Sequence, residues 1–226
     1  MEDIHSNEIL RDIKNMFNNK WNEVESNTIP EIDDVALSKN ESVKLSATVL
    51  YVDMRNSTKL VSEWKVFFST KIYKIFLWAA SKVIQKMGGH ITAFDGDRVM
   101  AIFIGNCKNT TAVKTAMKIK YLILQINKEI LKDTNYTIDF GIGIDTGLIF
   151  ATRTGIWKYN DILWMGNPSN YAAKYSDLGR NPNNIIISKT VYDALNNVAI
   201  YSGDKNMWEY YDSTHNILSS SYHWRF

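Results

Sequence analysis

Ser46-Ala-Thr-Val-Leu-Tyr-Val-Asp-Met-Arg-Asn-Ser-Thr58 is the stretch on which the reading of the fold turns. Residues 46–53 form a short β-prone run without strict apolar–polar alternation, the pattern of a central strand covered on both faces. The run ends in a carboxylate, Asp53, and enters a polar turn, Arg55-Asn56-Ser57-Thr58. Ser57 or Thr58 is suited to cap a long helix that ends near Gly88-Gly89. A hairpin follows, with His90–Phe94, an Asp95-Gly96 turn and Arg98–Phe103. Across 110–132, Ala112, Ala116, Ile119, Ile123, Ile126 and Ile130 share one side of a helix, and Tyr136–Asp145 reads as the next strand. The order from residue 46 is therefore β-α-β-β-α-β, an α+β fold with a ferredoxin-like core.

Downstream of that core, Gly147–Thr152 and 156–164 read as strands or a long hairpin, and Asn167-Pro168 opens a helix to about Leu178. Ile185–Ile187 is a short strand and Lys189–Leu195 a short helix, while Met207–Tyr211 and Tyr222–Phe226 are placed to close the sheet. Upstream, Ile9, Leu10, Ile13, Phe17, Trp21 and Val24 predict an amphipathic helix over 7–25. Asn27, Pro30, Asp33 and Asp34 then mark a loop. The chain thus divides into an N-terminal helix and linker over 1–45 and a main domain over 46–226.

Composition excludes several classes of function. The 226 residues are 45% hydrophobic and 22% charged, ordinary for a globular protein, and the net charge is only +2. So weak a field argues against a nucleic-acid partner. A single cysteine, Cys107, cannot form an internal disulfide and reads as structural. The start Met-Glu-Asp-Ile-His-Ser lacks the basic and apolar runs of a signal peptide. The longest apolar candidate, Ile72 to Ile84, is broken by Lys74 and Lys82. A cytoplasmic protein without stable membrane insertion is expected.

Two carboxylates stand out. Asp53 ends the first strand, and Asp97 sits in the hairpin turn. Neighbouring strands lie ~4.8 Å apart, so pairing of the hairpin beside the first strand would bring both to one point. Hard divalent cations favour such oxygens. Spacing alone also suits two turn residues and a helix cap.

The residue strings go further. Val49-Leu-Tyr-Val-Asp-Met-Arg-Asn-Ser-Thr58 resembles the first metal strand of class III adenylate and guanylate cyclases, Phe-x-Asp-Ile/Met-x-x-Phe/Ser-Thr. Gly88-Gly-His-Ile-Thr-Ala-Phe-Asp-Gly-Asp97 with Arg98-Val-Met-Ala-Ile-Phe103 resembles their second metal hairpin. Gly141-Ile-Gly-Ile-Asp-Thr-Gly147, Met165-Gly-Asn-Pro-Ser-Asn170-Tyr-Ala-Ala-Lys174 and Ile185-Ile-Ile-Ser-Lys-Thr-Val-Tyr192 match three further blocks, in family order. The resemblance implies the class III cyclase fold and an enzyme that converts a nucleoside triphosphate to a 3′,5′-cyclic monophosphate. It implies that Asp53 and Asp97, with the Met54 backbone, hold two Mg²⁺ or Mn²⁺ ions per active site. Arg55, Asn56, Ser57 and Thr58 would cradle the triphosphate. Asn170 would orient the ribose, and Lys174 stands where the family has its transition-state arginine. Lys keeps the charge but loses the planar fork. The family also implies a homodimer with composite sites.

Purine cyclases read their base with a Lys or Glu four residues before the second metal Asp, and with an Asp or Cys three residues before the Trp-Gly glycine. Here those positions are Ala93 and Leu163, neither of which hydrogen-bonds through its side chain. The chain is most similar to the pyrimidine cyclases of bacterial Pycsar anti-phage systems, through Tyr51–Thr58, Asp95–Ala101, Asn170–Lys174 and Ser221-Tyr-His-Trp224. That implies UTP, or else CTP, as substrate and a separate cyclic-nucleotide-sensing effector that responds to the product. Tyr51 and Arg98 are the candidate pocket residues particular to this group; Tyr51 packed in the sheet and Arg98 as a hairpin surface charge is the plainer alternative. An adenylate cyclase with an atypical pocket, or a non-catalytic cyclase-like module, are the competing functions.

Overall fold

The computed structural model describes residues 4–36 and 40–226, and these group into two compact units. One holds the N-terminal residues up to Leu45 together with Ile149–Met165; the other holds Ser46–Leu148 and Gly166–Phe226. Positions 1–3 and 37–39 of the expected N-terminal part lie outside the described residues. In chain order the first elements are α1 (Ile4–Asn18), β1 (Asn22–Glu25), β2 (Glu41–Arg55), α2 (Ser57–Glu63) and α3 (Val66–Lys86). Next come β3 (His90–Asp95), β4 (Arg98–Phe103), α4 (Lys108–Asp133), β5 (Asp139–Ile156) and β6 (Tyr159–Met165). The chain continues through α5 (Asn167–Leu178), β7 (Ile185–Ser188), α6 (Lys189–Asp193) and α7 (Asn197–Ile200). A small two-stranded pair, β8 (Tyr201–Ser202) and β9 (Lys205–Asn206), precedes β10 (Glu209–Asp212) and β11 (Ile217–Ser220).

In the larger unit the sheet runs β10-β11-β7-β5-β2-β4-β3. Its β5-β2-β4-β3 segment, with α3 and α4, is the expected ferredoxin-like β-α-β-β-α-β core. Strands β2 and β4 pair antiparallel from Thr48↔Phe103 to Asp53↔Arg98, and β3 joins β4 as far as Asp95↔Arg98. Alternate residues therefore point to opposite faces. Leu50, Val52, Met54, Val99, Ala101 and Phe103 pack with Phe76 and Ile84 of α3 and Val113 and Met117 of α4 in one core. Each of these side chains larger than alanine contributes roughly 1.5–3 kcal/mol on burial. Tyr51, Asp53, Arg98 and Met100 fall on the other face. Helix α5 lies close on β5 because glycines leave room for it. A Cβ at Gly141 or Gly143 would sit 2.0 Å from the carbonyl oxygen of Ser176 or Ala172.

In the smaller unit, β1 pairs parallel with Glu41–Lys44, and Trp21 Nε1 donates to Ser42 Oγ at 3.0 Å. Strand β6 pairs with Phe150–Ile156 of β5. Ile9, Leu10, Ile13, Met16 and Phe17 of α1 are exposed. No described helix is long and apolar enough to cross a membrane.

Several expectations from sequence are corrected. The helix read over 7–25 stops at Asn18, and 22–25 is β1 instead. Asn is a weak helix former, and Asn40 Nδ2 takes the Asn19 carbonyl at 3.0 Å, ending α1. The single helix read from 57 to 88 breaks at Trp64-Lys65. There Trp64 stacks on Phe68 with ring centroids 4.6 Å apart, and Ser69 Oγ donates to the Leu60 carbonyl at 3.0 Å. Neither Ser57 nor Thr58 caps it; the N-cap is Asn56, in the left-handed region at φ 56°. The hairpin turn is Gly96-Asp97 rather than Asp95-Gly96, since Asp95 still pairs with Arg98. Strand β5 is continuous where two strands were read. Ile217–Ser220, not Tyr222–Phe226, pairs with β7. The chain end instead runs along α4, where Trp224 N–H donates to the Met117 carbonyl at 3.2 Å.

Candidate active site

The antiparallel register of β2 and β4 sets Asp53 directly opposite Arg98. Directly paired residues share a face, and these two join in a two-point contact along one guanidinium edge. Arg98 Nε lies 3.3 Å from Asp53 Oδ1, and Nη2 lies 3.2 Å from Oδ2. The same Nη2 is 3.3 Å from Asp177 Oδ1 at the end of α5. Arg98 is thus partnered twice and is not a free hairpin charge. Asp97, in the turn, accepts the Met54 N–H at its carbonyl at 3.2 Å, which pins the hairpin tip to the end of β2.

Burial pushes the Asp53 carboxyl up to about 6; Arg98 opposes the shift, and Asp97 and Asp177 add to it. The fields of Asp97 and Asp177 thus reach Asp53, and one guanidinium partly offsets them. Between the unfolded value of 3.8 and about 6, the folded state holds a proton that the unfolded chain releases. Stability is therefore lost as pH rises through that window. Asp53→Asn is expected to raise the melting temperature by a few degrees at pH 7.5 and to give no gain at pH 4. Thermal melts at the two pH values check this, and a gain confined to pH 4 would contradict it.

The other expected residues fall into three groups. The first is the turn after Asp53. Met54 is buried, and Asn56 to Thr58 lie at the start of α2. The Arg55 side chain does not point to a phosphate cradle. Its guanidinium donates to the carbonyls of Gly179 at 2.8 Å, Ser176 at 3.0 Å and Asp177, gripping the end of α5. Those carbonyls lack helical partners, so the cation also satisfies the helix terminus.

The second group is the base-pocket set. Tyr51 and Ala93 both pair with Met100, from either side of β4, so the three form one row next to the Asp53–Arg98–Asp95 row. Tyr51 is half-buried, and burial pushes its hydroxyl above the usual value. Leu163 belongs to the smaller unit, exposed on β6 opposite Thr152.

The third group is on α5. Asn170 and Lys174 are exposed, four residues apart on one face, and Lys174 Nζ lies 5.5 Å from the Tyr171 ring centre. Asp177 continues that face one turn on. The sequence reading missed Asp177 and the α5-anchoring role of Arg55. The spacing Asn170, Lys174, Asp177 was a signal for the former; nothing local marks the latter.

Among the described residues, no three or more His, Cys, Asp or Glu converge on one metal position. The donor set at Asp53 and Asp97 is two carboxylates with adjacent backbone carbonyls. That fits Mg²⁺ or Mn²⁺, which take one or two carboxylates and complete their shell with water and substrate phosphate.

Comparison with known proteins adds a family. A model described as the adenylate and guanylate cyclase catalytic domain matches residues 40–211. A uridylate cyclase of Xanthomonas perforans is 39% identical, over 93% of this chain and 94% of its own length. A uridylate cyclase of Burkholderia cepacia is 40% identical over 85% of both chains. Among solved structures, the adenylyl cyclase CyaB from P. aeruginosa superposes with a TM-score of 0.67 at 24% identity, covering 80% of this chain and 95% of that one. The guanylyl cyclase Cya2 gives 0.66 at 19% identity, covering 78% and 91%.

Proposed function

We propose a substrate and a mechanism for this chain, which belongs to the adenylate and guanylate cyclase catalytic domain family and is a nucleotidyl cyclase: it converts UTP to cyclic UMP and pyrophosphate. The observation that carries the pyrimidine reading is the similarity to three uridylate cyclases at 34–40% identity along 85–97% of the chain. The pocket supports it, because Ala93, in the row beside Asp53, offers no side-chain hydrogen bond to a purine edge. Choosing UTP over CTP rests on the relatives' names alone.

In the reaction the ribose 3′-oxygen attacks the α-phosphorus, the bond to the β-phosphate bridging oxygen breaks, and pyrophosphate leaves. Two divalent ions, Mg²⁺ or Mn²⁺, held by Asp53 and Asp97 would activate the attacking oxygen and neutralise the leaving group. The backbone from Met54 to Thr58 positions the triphosphate. Asn170 and Lys174 stand on the exposed face of α5, seven and three residues before Asp177. That placement suits the active site of a second copy, where Asn170 would orient the ribose and Lys174 would meet transition-state charge. The enzyme would thus be a cytoplasmic C2 homodimer with two composite sites. Its product would act on a separate cyclic-nucleotide-sensing effector in anti-phage defence, as the resemblance to Pycsar cyclases suggests.

Incubation with an equimolar mixture of the four NTPs and Mn²⁺, followed by product chromatography, tests the substrate. Cyclic UMP is the expected product, and cyclic AMP or cyclic GMP in its place overturns the reading. Assembly is tested by mixing Asp53→Ala chains with Asn170→Ala chains, each inactive alone. Random exchange makes half the dimers mixed, each with one intact site, so about a quarter of wild-type activity is expected. No rescue despite demonstrated subunit exchange would refute the shared site.

A further inference from the structure

One guanidinium serves two carboxylates of unequal standing. Asp53 is buried, with 8% of its side chain exposed, whereas Asp177 has 55% exposed. Arg98 contacts both through Nη2, at 3.2 and 3.3 Å. Asp177 does not sit there by chance of a loose helix end, because Arg55 grips the last carbonyls of α5. The arrangement matters for any cation arriving at Asp53. A guanidinium bonded to both Asp53 oxygens occupies the donors that a divalent ion needs, and like charges at that separation repel. Leaving Asp53 without Arg98 or a metal would strand a buried charge, which is costly.

We propose that Asp177 is a positioning residue that gives Arg98 a second seat. In the substrate-free protein Arg98 neutralises Asp53. When a divalent ion takes Asp53, the guanidinium lets go of that carboxylate but stays on Asp177, beside the metal site and facing the phosphates. Asp177 thereby lowers the cost of displacing Arg98 and keeps it close to the triphosphate. The inference rests on the metal reading given above.

Mn²⁺ binding to the full-length protein, measured by electron paramagnetic resonance without nucleotide at fixed ionic strength, tests it. Four proteins enter one double-mutant cycle: wild type, Arg98→Gln, Asp177→Asn and the double variant. Arg98→Gln is expected to bind Mn²⁺ more tightly, since the competitor is gone. Asp177→Asn is expected to weaken binding by roughly tenfold when Arg98 is present and by less than about threefold when it is Gln, a coupling typical of groups in direct contact. Asp177→Glu should restore most of the affinity. An equal loss in both backgrounds would mean that Asp177 acts only through its own field, and the second-seat role would be wrong. Asp53→Ala is the control that separates the two readings. If it leaves Mn²⁺ affinity unchanged, the ion binds elsewhere and the metal assignment falls along with the role of Asp177. If it abolishes binding while the cycle shows no coupling, only the role of Asp177 falls.

Discussion

Asp53→Ala and Asp97→Ala are each expected to reduce cyclase turnover by at least about 10³-fold while leaving the melting temperature within a few degrees of wild type. One carboxylate comes from strand β2 and the other from the β3–β4 turn, and the register Asp53↔Arg98 with the Met54–Asp97 backbone bond brings them to one end of the β2–β4 ladder. Removing either takes away charge stabilisation that matters most in the transition state, an effect worth several kcal/mol in two-metal sites. Neither side chain belongs to the apolar core formed by β2, β4, α3 and α4, so the fold survives. Steady-state kinetics with UTP and Mn²⁺, alongside thermal melts, check the expectation. Near wild-type turnover in either variant would remove the basis for the metal assignment.

The second large effect is on the base. Turnover of UTP is expected to exceed that of ATP and GTP by on the order of 10⁴ in kcat/KM, the size of discrimination reached when a site reads its substrate through buried hydrogen bonds. The row Tyr51, Met100 and Ala93 sets this up. Ala93 leaves no polar group for a purine edge, and the half-buried Tyr51 supplies both bulk to narrow the pocket and a hydroxyl. Tyr51→Ala should therefore erode discrimination more than it erodes Mn²⁺ binding, because it opens space without touching Asp53. Single-substrate kinetics for the four triphosphates measure both. Comparable kcat/KM values for UTP and ATP would show that the pocket does not read the base through these residues.

Much of the core was legible because its signals are local. The β-prone run at 46–53, the Gly-rich hairpin at 88–103 and the 3.6-residue periodicity of 110–132 each specify their own element, and the ferredoxin-like order follows from their sequence. What stayed hidden depends on partners distant in the chain. The end of α1 is set by Asn40, and the break before α3 by Trp64 meeting Phe68 and Tyr136. At the site, Asp53 and Asp97 could be picked out from their motifs. The reach of Arg55 to α5 and the bridge from Arg98 to Asp177 span 79 or more positions, and no spacing rule encodes them.

The division of one sheet face into successive rows has a consequence for how such an enzyme can change. Tyr51–Met100–Ala93 and Asp53–Arg98–Asp95 are separated by a single pleat repeat, about 6.7 Å along the strand. If the first row reads the base and the second holds the metal, as proposed, substitutions in the first would alter which letter is written into the signal and leave the ink, the phosphate chemistry, untouched. On that reading a lineage could drift from one messenger to another through changes confined to the recognition row. For a signalling enzyme, that separability would be a route to a new alphabet on an unchanged frame.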